Sequence, residues 1–269
     1  MAVRGRSRVL LGAAPGVGKT YAMLDEGKHL RAGGSDVVIA VVETHGRAAT
    51  AAMTEGMEVV PRHYVECRGI ELPEMDLDEV LARHPDVALV DELAHTNAPG
   101  SRNEKRWQDV EELLEAGIDV ISTVNIQHIE SLNDVVEQIT GVPQRETVPD
   151  TVLRRASQVE VVDLAPQALR DRLSSGKVYP AERIDAALSN YFRLGNLTAL
   201  RELALLWVAD EVDHALADYR SEHGIDSRWE ARERVVVALT GGREGETLLR
   251  RGARIAVRAG GGDLLAVHV

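Results

Sequence analysis

The sequence predicts an α/β fold, built on a mostly parallel sheet with helices on both faces. Short apolar runs alternate with longer amphipathic stretches, which is the pattern of βαβ units. The second run, residues 37–42, is almost wholly apolar, as expected for a strand that is covered on both faces. Polar residues end four of the runs, at the strand ends where ligands bind in open α/β sheets.

The predicted elements of the main domain follow from these runs and from the residues that end them. The first strand, residues 9–11, leads through a glycine-rich turn into a helix at 18–31, which Gly33 and Gly34 end. Further strands are predicted at residues 37–42, 87–90, 120–124 and 159–164. A helix is predicted at 106–116, because its apolar residues recur at helical spacing and Gly117 follows.

After Pro166 the sequence no longer alternates between predicted strands and helices, and a series of predicted helices follows. Helices are predicted at residues 169–173, 181–191 and 196–219, and a truncated βαβ unit at 235–239, 246–258 and 264–269. We therefore predict a main domain at 1–222 with a helical C-terminal extension from about 166, a linker at 223–232 and an incomplete domain at 233–269. One βαβ unit cannot bury both its sheet edges and its faces, so we expect the chain to be a fragment of a longer protein.

Composition bounds the class of protein and its partners. Hydrophobic residues make up 44% and charged residues 28%, as in ordinary soluble globular proteins. The formal charge of −12 repels phosphate backbones and anionic lipids, which argues against nucleic acid as a partner. The single cysteine, Cys67, fits a reducing compartment, and no apolar run approaches the roughly 20 residues needed to cross a bilayer. We predict a cytoplasmic protein that does not itself insert into a membrane.

The turn after the first strand has the sequence of a phosphate-binding loop, or P-loop. It departs from the usual G-x-x-x-x-G-K-[ST] pattern at its first position, where Ala13 follows Gly12. Small residues let backbone N–H groups curl around a phosphate at a helix N-terminus, while the lysine binds phosphate and the threonine hydroxyl ligates Mg²⁺. The fold is thus predicted to be P-loop NTPase-like, with ATP and Mg²⁺ as cofactors and a loop of Ala14, Pro15, Gly16, Val17, Gly18, Lys19 and Thr20.

Carboxylates follow the third strand of the main domain. Asp91 ends the apolar run 87–90, the pattern of a Walker B aspartate that holds Mg²⁺ through water together with Thr20. Glu92 comes next and is the candidate catalytic base that polarises an attacking water. The alternative for Asp91 is an N-cap or loop carboxylate, and the alternative for Glu92 is a carboxylate that is not a catalytic base.

Other candidates lie at strand ends and in one loop. Asn125 and Gln127 follow the fourth strand, where an amide can contact the terminal phosphate or simply form a turn. His95 lies in a loop that is either a phosphate-responsive switch or a solvated segment. The basic residues of that loop either supply an arginine finger or form a solvated face; they are Arg102, Lys105 and Arg106.

Four segments carry a family resemblance. They are residues 12–24 (GAAPGVGKTYAML), 42–47 (VETHGR), 90–109 (VDELAHTNAPGSRNEKRWQD) and 125–135 (NIQHIESLNDV). Together they closely resemble the N-terminal sensor domain of the KdpD family, the osmosensitive, potassium-responsive sensor histidine kinases of bacterial two-component systems. The resemblance covers about residues 4–222, and the chain from Arg234 onward resembles the opening unit of a universal-stress-protein domain.

The resemblance implies a cytoplasmic ATP-binding regulatory domain that acts on a distant kinase domain. The implied partners are the nucleotide and the remainder of the sensor kinase, with a second copy of the chain as a further candidate. The sequence contains no kinase core, so we expect no histidine autophosphorylation and at most slow ATP hydrolysis. The alternative is a free-standing P-loop ATPase or small-molecule phosphotransferase, for which a cluster of arginines would form a lid: Arg154, Arg155, Arg170 and Arg172.

Overall fold

The computed structural model describes residues 3–176, 188–225, 235–242, 244–258 and 264–269. Most of the predicted helix at 181–191 and of the predicted linker at 223–232 lies outside these residues. The chain divides into two compact units, Met1–Asp213 and His214–Val269.

The first unit is built on a parallel sheet, as predicted. Its six strands are β1 (Ser7–Gly12), β2 (Val37–Val41), β3 (Glu58–Val59), β6 (Val87–Val90), β7 (Asp119–Asn125) and β8 (Gln158–Val162). In the sheet they lie in the order β3-β2-β6-β7-β1-β8, and every neighbouring pair is parallel. Strand β7 therefore separates β1, which leads into the glycine-rich turn, from β6, which Asp91 follows.

Helices cover both faces of this sheet, and two buried clusters lie between helices and strands. On one face α1 (Lys19–Ala32) packs Met23 and Leu24 against β2, β6 and β7. The opposite face is covered by α3 (Leu77–Arg83), α4 (Arg106–Glu115), α5 (Asn133–Thr140), α6 (Asp150–Arg154) and the first half of α8 (Leu194–His223). A third cluster joins α7 (Pro166–Ser174) and the start of α8 to the P-loop. The predicted helical extension is thus confirmed, and it packs beside the turn after β1.

Between β2 and β6 the chain forms elements that the sequence did not predict. They are α2 (Ala48–Thr54), the short strand β3, the helix α3 and an antiparallel hairpin of β4 (His63–Cys67) and β5 (Ile70–Glu74). The hairpin turn consists of Arg68 and Gly69, both with positive φ, at 54° and 78°. An arginine at such a position gives no turn signal, because asparagine, aspartate or glycine is usual there.

The second unit contains the predicted βαβ pattern. Strands β9 (Val235–Leu239) and β10 (Leu264–His268) pair in parallel, with Val235 opposite Leu264. Helix α9 (Gly245–Arg258) packs on them, and Val237 and Ala256 are buried. Among the helices that the structure describes, none is long and apolar enough to cross a membrane.

Candidate functional site

The turn between β1 and α1 has the backbone of a tight, glycine-dependent loop. Gly16 and Gly18 have φ angles of 90° and 114°, which other residues rarely adopt. A Cβ added to Gly12 would lie 2.6 Å from Cγ2 of Val17 and 2.8 Å from Cδ of Lys19. Gly12 therefore supplies the close approach that the usual pattern assigns to the next position, which explains why Ala13 is tolerated there.

Lys19 lies at the base of the turn with its charge out of water. Its side chain is 7% exposed, and Nζ donates a hydrogen bond of 2.5 Å to Oδ1 of Asn125. Burial lowers the pKa of Lys19 to about 8, although the charge of Asp91 raises it in part. The strands β1 and β7 are neighbours with Gly12 opposite Asn125, so the sheet itself brings this lysine and amide together.

Asp91 lies behind Lys19 at the end of β6 and is 1% exposed. Its carboxylate accepts hydrogen bonds from the hydroxyls of Thr123 at 2.5 Å and Thr20 at 3.3 Å, and from the backbone N–H of Glu43 at 3.2 Å. Burial raises the pKa of Asp91, and the Thr123 hydrogen bond opposes that effect. The predicted magnesium residues Thr20 and Asp91 are thus adjacent.

Glu92 is paired with a histidine from another strand end. His45 Nε2 lies 2.9 Å from Glu92 Oε1, and both residues have left-handed backbones, with φ of 49° and 55°. Burial raises the pKa of Glu92, but the hydrogen bond and charge of His45 outweigh it, and the net shift is downward. The same hydrogen bond raises the pKa of His45. Glu92 is therefore ionised and already has a partner.

These groups line one cavity of about 540 Å³. Its walls are the P-loop from Pro15 onward, the turn after β2, and the ends of β6 and β7. Two predicted residues lie outside its lining: Ala14 is buried among apolar side chains, and the amide of Gln127 bonds to Gln144 and to the hydroxyl of Tyr191. Gln127 thus connects β7 to the helical extension and does not face the cavity.

Arg102 and Arg106 of the loop after β6 form hydrogen bonds or ion pairs with other groups of the protein. Arg106 is 1% exposed and donates hydrogen bonds to the carbonyl of Asp91 at 3.0 Å and to Glu74 at 3.4 Å. The prediction of a solvated basic face is therefore wrong for Arg106. Arg102 pairs with Asp78 and Glu112, each at 2.6 Å. His95 does line the cavity, and its Nε2 lies 3.0 Å from Glu74.

Several cavity residues were not among the predicted site residues. Thr123 lies two positions before Asn125, so the alternation of a strand places both on one face, and that spacing was a usable signal. Arg172 of α7 donates a hydrogen bond of 3.0 Å to the carbonyl of Gly16. No local pattern predicts that contact, because 156 positions separate the two residues. Arg47 and Glu146 also line the cavity and were not predicted.

The protein oxygens of this cavity suit a cation whose other ligands are water and substrate phosphates. Within the part of the chain that the structure describes, no three His, Cys, Asp or Glu side chains form a metal-binding cluster. Mg²⁺ is commonly held by one or two protein oxygens, with water and substrate phosphates completing the octahedron. The pair of Thr20 and Asp91 fits that chemistry.

The strand order, the glycine-dependent turn after β1 and the buried lysine define the class of an open, all-parallel α/β domain with its candidate site at the carboxyl ends of the strands. Residues 3–212 match the family described as "KdpD: Osmosensitive K+ channel His kinase sensor domain". The chain belongs to the KdpD sensor-domain family.

Curated relatives agree with this assignment. The chain is 65% identical over 266 residues to a sensor protein KdpD of Mycobacterium tuberculosis, covering 99% of the chain and 31% of the relative. It is 53% identical over 257 residues to sensor protein KdpD of Escherichia coli K12, covering 96% of the chain and 29% of the relative. A putative sensor protein KdpD of Synechocystis is 50% identical over 259 residues, which cover 96% of the chain and 69% of that protein. The chain thus spans about a third of the length of the first two of these relatives.

Proposed function

We propose that this chain is the nucleotide-binding regulatory region of a sensor histidine kinase that responds to potassium or osmotic conditions. It binds ATP, or a closely related nucleoside triphosphate, with Mg²⁺ in the cavity of about 540 Å³. The observation that carries the proposal is the convergence of Lys19, Thr20 and Asp91 at the base of that cavity. The other partners proposed are the remainder of the kinase and a second copy of the chain, on the cytoplasmic side of the membrane.

The charge of Lys19 supports phosphate as the ligand. A buried ammonium that bonds mainly to a neutral amide is poorly compensated, and its lowered pKa of about 8 reflects this. A phosphate oxygen beside Nζ would supply the missing negative charge. The cavity volume also lies within the range of about 300–1,000 Å³ that is usual for small-molecule sites.

Magnesium would lie between the triphosphate and the end of β6. Thr20 would supply a hydroxyl oxygen and Asp91 a carboxylate oxygen, directly or through water. The cation supplies charge neutralisation of the phosphates when it is bound. Its charge would also reduce the unfavourable free energy of burying the ionised Asp91 carboxylate, whose pKa is raised by burial.

The state of Glu92 favours sensing over rapid turnover. A general base works best with a pKa near the operating pH, whereas the pKa of Glu92 is lowered and His45 holds its carboxylate. Three of the arginines that would form a phosphotransferase lid have contacts within the protein. Arg154 pairs with Glu211, and Arg170 donates to the carbonyl of Leu188. Arg172 lines the cavity and donates to the carbonyl of Gly16. We therefore propose at most slow hydrolysis by this chain.

The test is a titration of the purified chain with Mg²⁺ and ATP, followed by a hydrolysis assay. Lys19→Ala should weaken ATP binding at least tenfold, because the ammonium charge of the P-loop is lost. Lys28→Ala, a lysine of the same helix outside the cavity lining, should bind as the wild type does and serves as the control.

Two results would contradict the proposal. Unchanged ATP affinity in folded Lys19→Ala would remove the P-loop from the binding site. Steady hydrolysis by the wild type that Glu92→Gln abolishes would make the chain a working ATPase, with Glu92 as its base.

A further inference from the structure

The turn that follows β2 forms part of the wall of the cavity. Its sequence is Glu-Thr-His-Gly-Arg at residues 43–47, and Arg47 lines the cavity together with Ala49 and Thr50. We propose that Arg47 binds the terminal phosphate of the nucleotide and thereby makes the site prefer triphosphate to diphosphate. This inference rests on the proposed function, since it requires a nucleotide whose phosphates lie along the P-loop.

The first support is the position of two cations around one cavity. Arg47 and Lys19 both line it, so two positively charged side chains belong to the wall of one cavity. A phosphate bound between Arg47 and Lys19 would attract both side chains and offset the repulsion between them.

The second support is the backbone that presents Arg47. His45 and Gly46 both have positive φ, at 49° and 73°, and the N–H of Arg47 donates to the carbonyl of Thr44 at 2.9 Å. The carbonyl of Arg47 accepts from the N–H of Ala51 in α2 at 2.9 Å. A tight turn on one side and a helix on the other therefore fix the backbone of this arginine.

The third support is the attachment of the turn to the end of β6. The N–H of Glu43 donates to Asp91 at 3.2 Å, and the side chain of His45 pairs with Glu92 at 2.9 Å. Arg47 is therefore placed relative to the carboxylates beside which magnesium and the terminal phosphate would lie. The preference requires that the terminal phosphate of a triphosphate reach Arg47 and that a diphosphate held by the P-loop stop short of it.

The fourth support is the chemistry of the guanidinium group. A guanidinium binds phosphate through paired hydrogen bonds, which a lysine cannot reproduce fully. The charge of Arg47 and its place in the cavity lining therefore fit a terminal phosphate.

The test compares a non-hydrolysable ATP analogue with ADP, each with Mg²⁺, by calorimetric titration of the 269-residue chain. Arg47→Ala should weaken binding of the ATP analogue at least tenfold and binding of ADP less than twofold. Arg47→Lys should recover part of the lost affinity for the analogue. Arg155→Ala removes an exposed arginine outside the cavity lining and should leave both affinities unchanged.

The outcomes separate this inference from the proposed function. If the wild type binds neither nucleotide, both fail. If the wild type binds and Arg47→Ala weakens both nucleotides equally, or neither, only the inference about Arg47 is overturned. If circular dichroism shows that Arg47→Ala does not fold, Arg47→Gln against Arg47→Lys decides, since both keep a long polar side chain and only the lysine keeps the charge.

Discussion

The burial of Lys19 lowers the free energy of unfolding of the nucleotide-free protein. Its folded-state pKa of about 8 lies below the ordinary value of 10.5, so burial disfavours the charged form. Below about pH 8 the lysine is charged in the folded and unfolded chain alike, and the full penalty is present. As the pH rises from 8 to about 10.5, the folded chain loses the proton before the unfolded chain does, and the free energy of unfolding rises.

We therefore expect Lys19→Met to stabilise the nucleotide-free protein at pH 7. The pKa difference corresponds to about 3 kcal/mol, less about 1 kcal/mol for the lost hydrogen bond to Asn125. Urea denaturation at pH 7 and at pH 9.5 measures the effect. The gain should be about 2 kcal/mol at pH 7 and smaller at pH 9.5; a variant less stable than the wild type at pH 7 would show that this lysine carries no burial penalty.

The sequence predicted the site residues that belong to local motifs. It did not predict those that contacts between distant parts of the chain bring to the site. Lys19, Thr20 and Asp91 lie in the cavity because a turn, a helix start and a strand end each follow a local pattern. Gln127 follows the same strand-end logic, but its amide bonds to Gln144 and Tyr191. A strand end predicts a position and does not predict which way a side chain turns after it.

At the scale of elements, α1 packs so closely on β6 that one of its residues has to be glycine. A Cβ added to Gly27 would lie 2.5 Å from Cδ1 of Leu89, which is fully buried. Gly195, in the first turn of α8, has open space around its added Cβ. The two helical glycines therefore provide a matched pair with opposite expectations.

Gly27→Ala should destabilise the protein by about 1–3 kcal/mol, because the added methyl overpacks a filled core. Gly195→Ala should stabilise it by up to about 1 kcal/mol, because alanine favours the helix and meets no neighbour. Thermal unfolding of both variants beside the wild type measures the two signs. Equal effects of the two substitutions would contradict the close packing of α1 on β6.

Strands β1, β2, β6 and β7 of the main sheet were predictable because they are largely buried apolar runs, as in β2, where all five residues are buried. The segment between β2 and β6 was not predictable by the same rule. Its hairpin is largely exposed, and its turn at Arg68 and Gly69 lacks the usual residues. Local patterns fail where neither burial nor turn chemistry marks the chain.

At the scale of the whole first unit, the helical extension contacts both the P-loop and the segment that follows β7. Arg172 of α7 holds the carbonyl of Gly16, and Tyr191 bonds to Gln127 after β7. Leu169 and Leu173 also pack with residues of the P-loop in one buried cluster. Ordering of the loop by a ligand would therefore restrict α7 and the start of α8. A nucleotide transmits a signal in this way only if it binds one arrangement better than another.

This argument leads to a prediction for hydrogen exchange of the nucleotide-bound chain. Saturating Mg²⁺ and ATP should slow early amide exchange in the P-loop and in residues 166–174, and leave α3 unchanged as the internal control. In Arg172→Ala, at saturating nucleotide, the P-loop should still be protected while the protection of 166–174 falls, because the bond to Gly16 is gone. Full protection of α7 in this variant would show that the apolar cluster alone couples the extension to the site. Unchanged exchange in the wild-type extension would place the signal elsewhere in the domain.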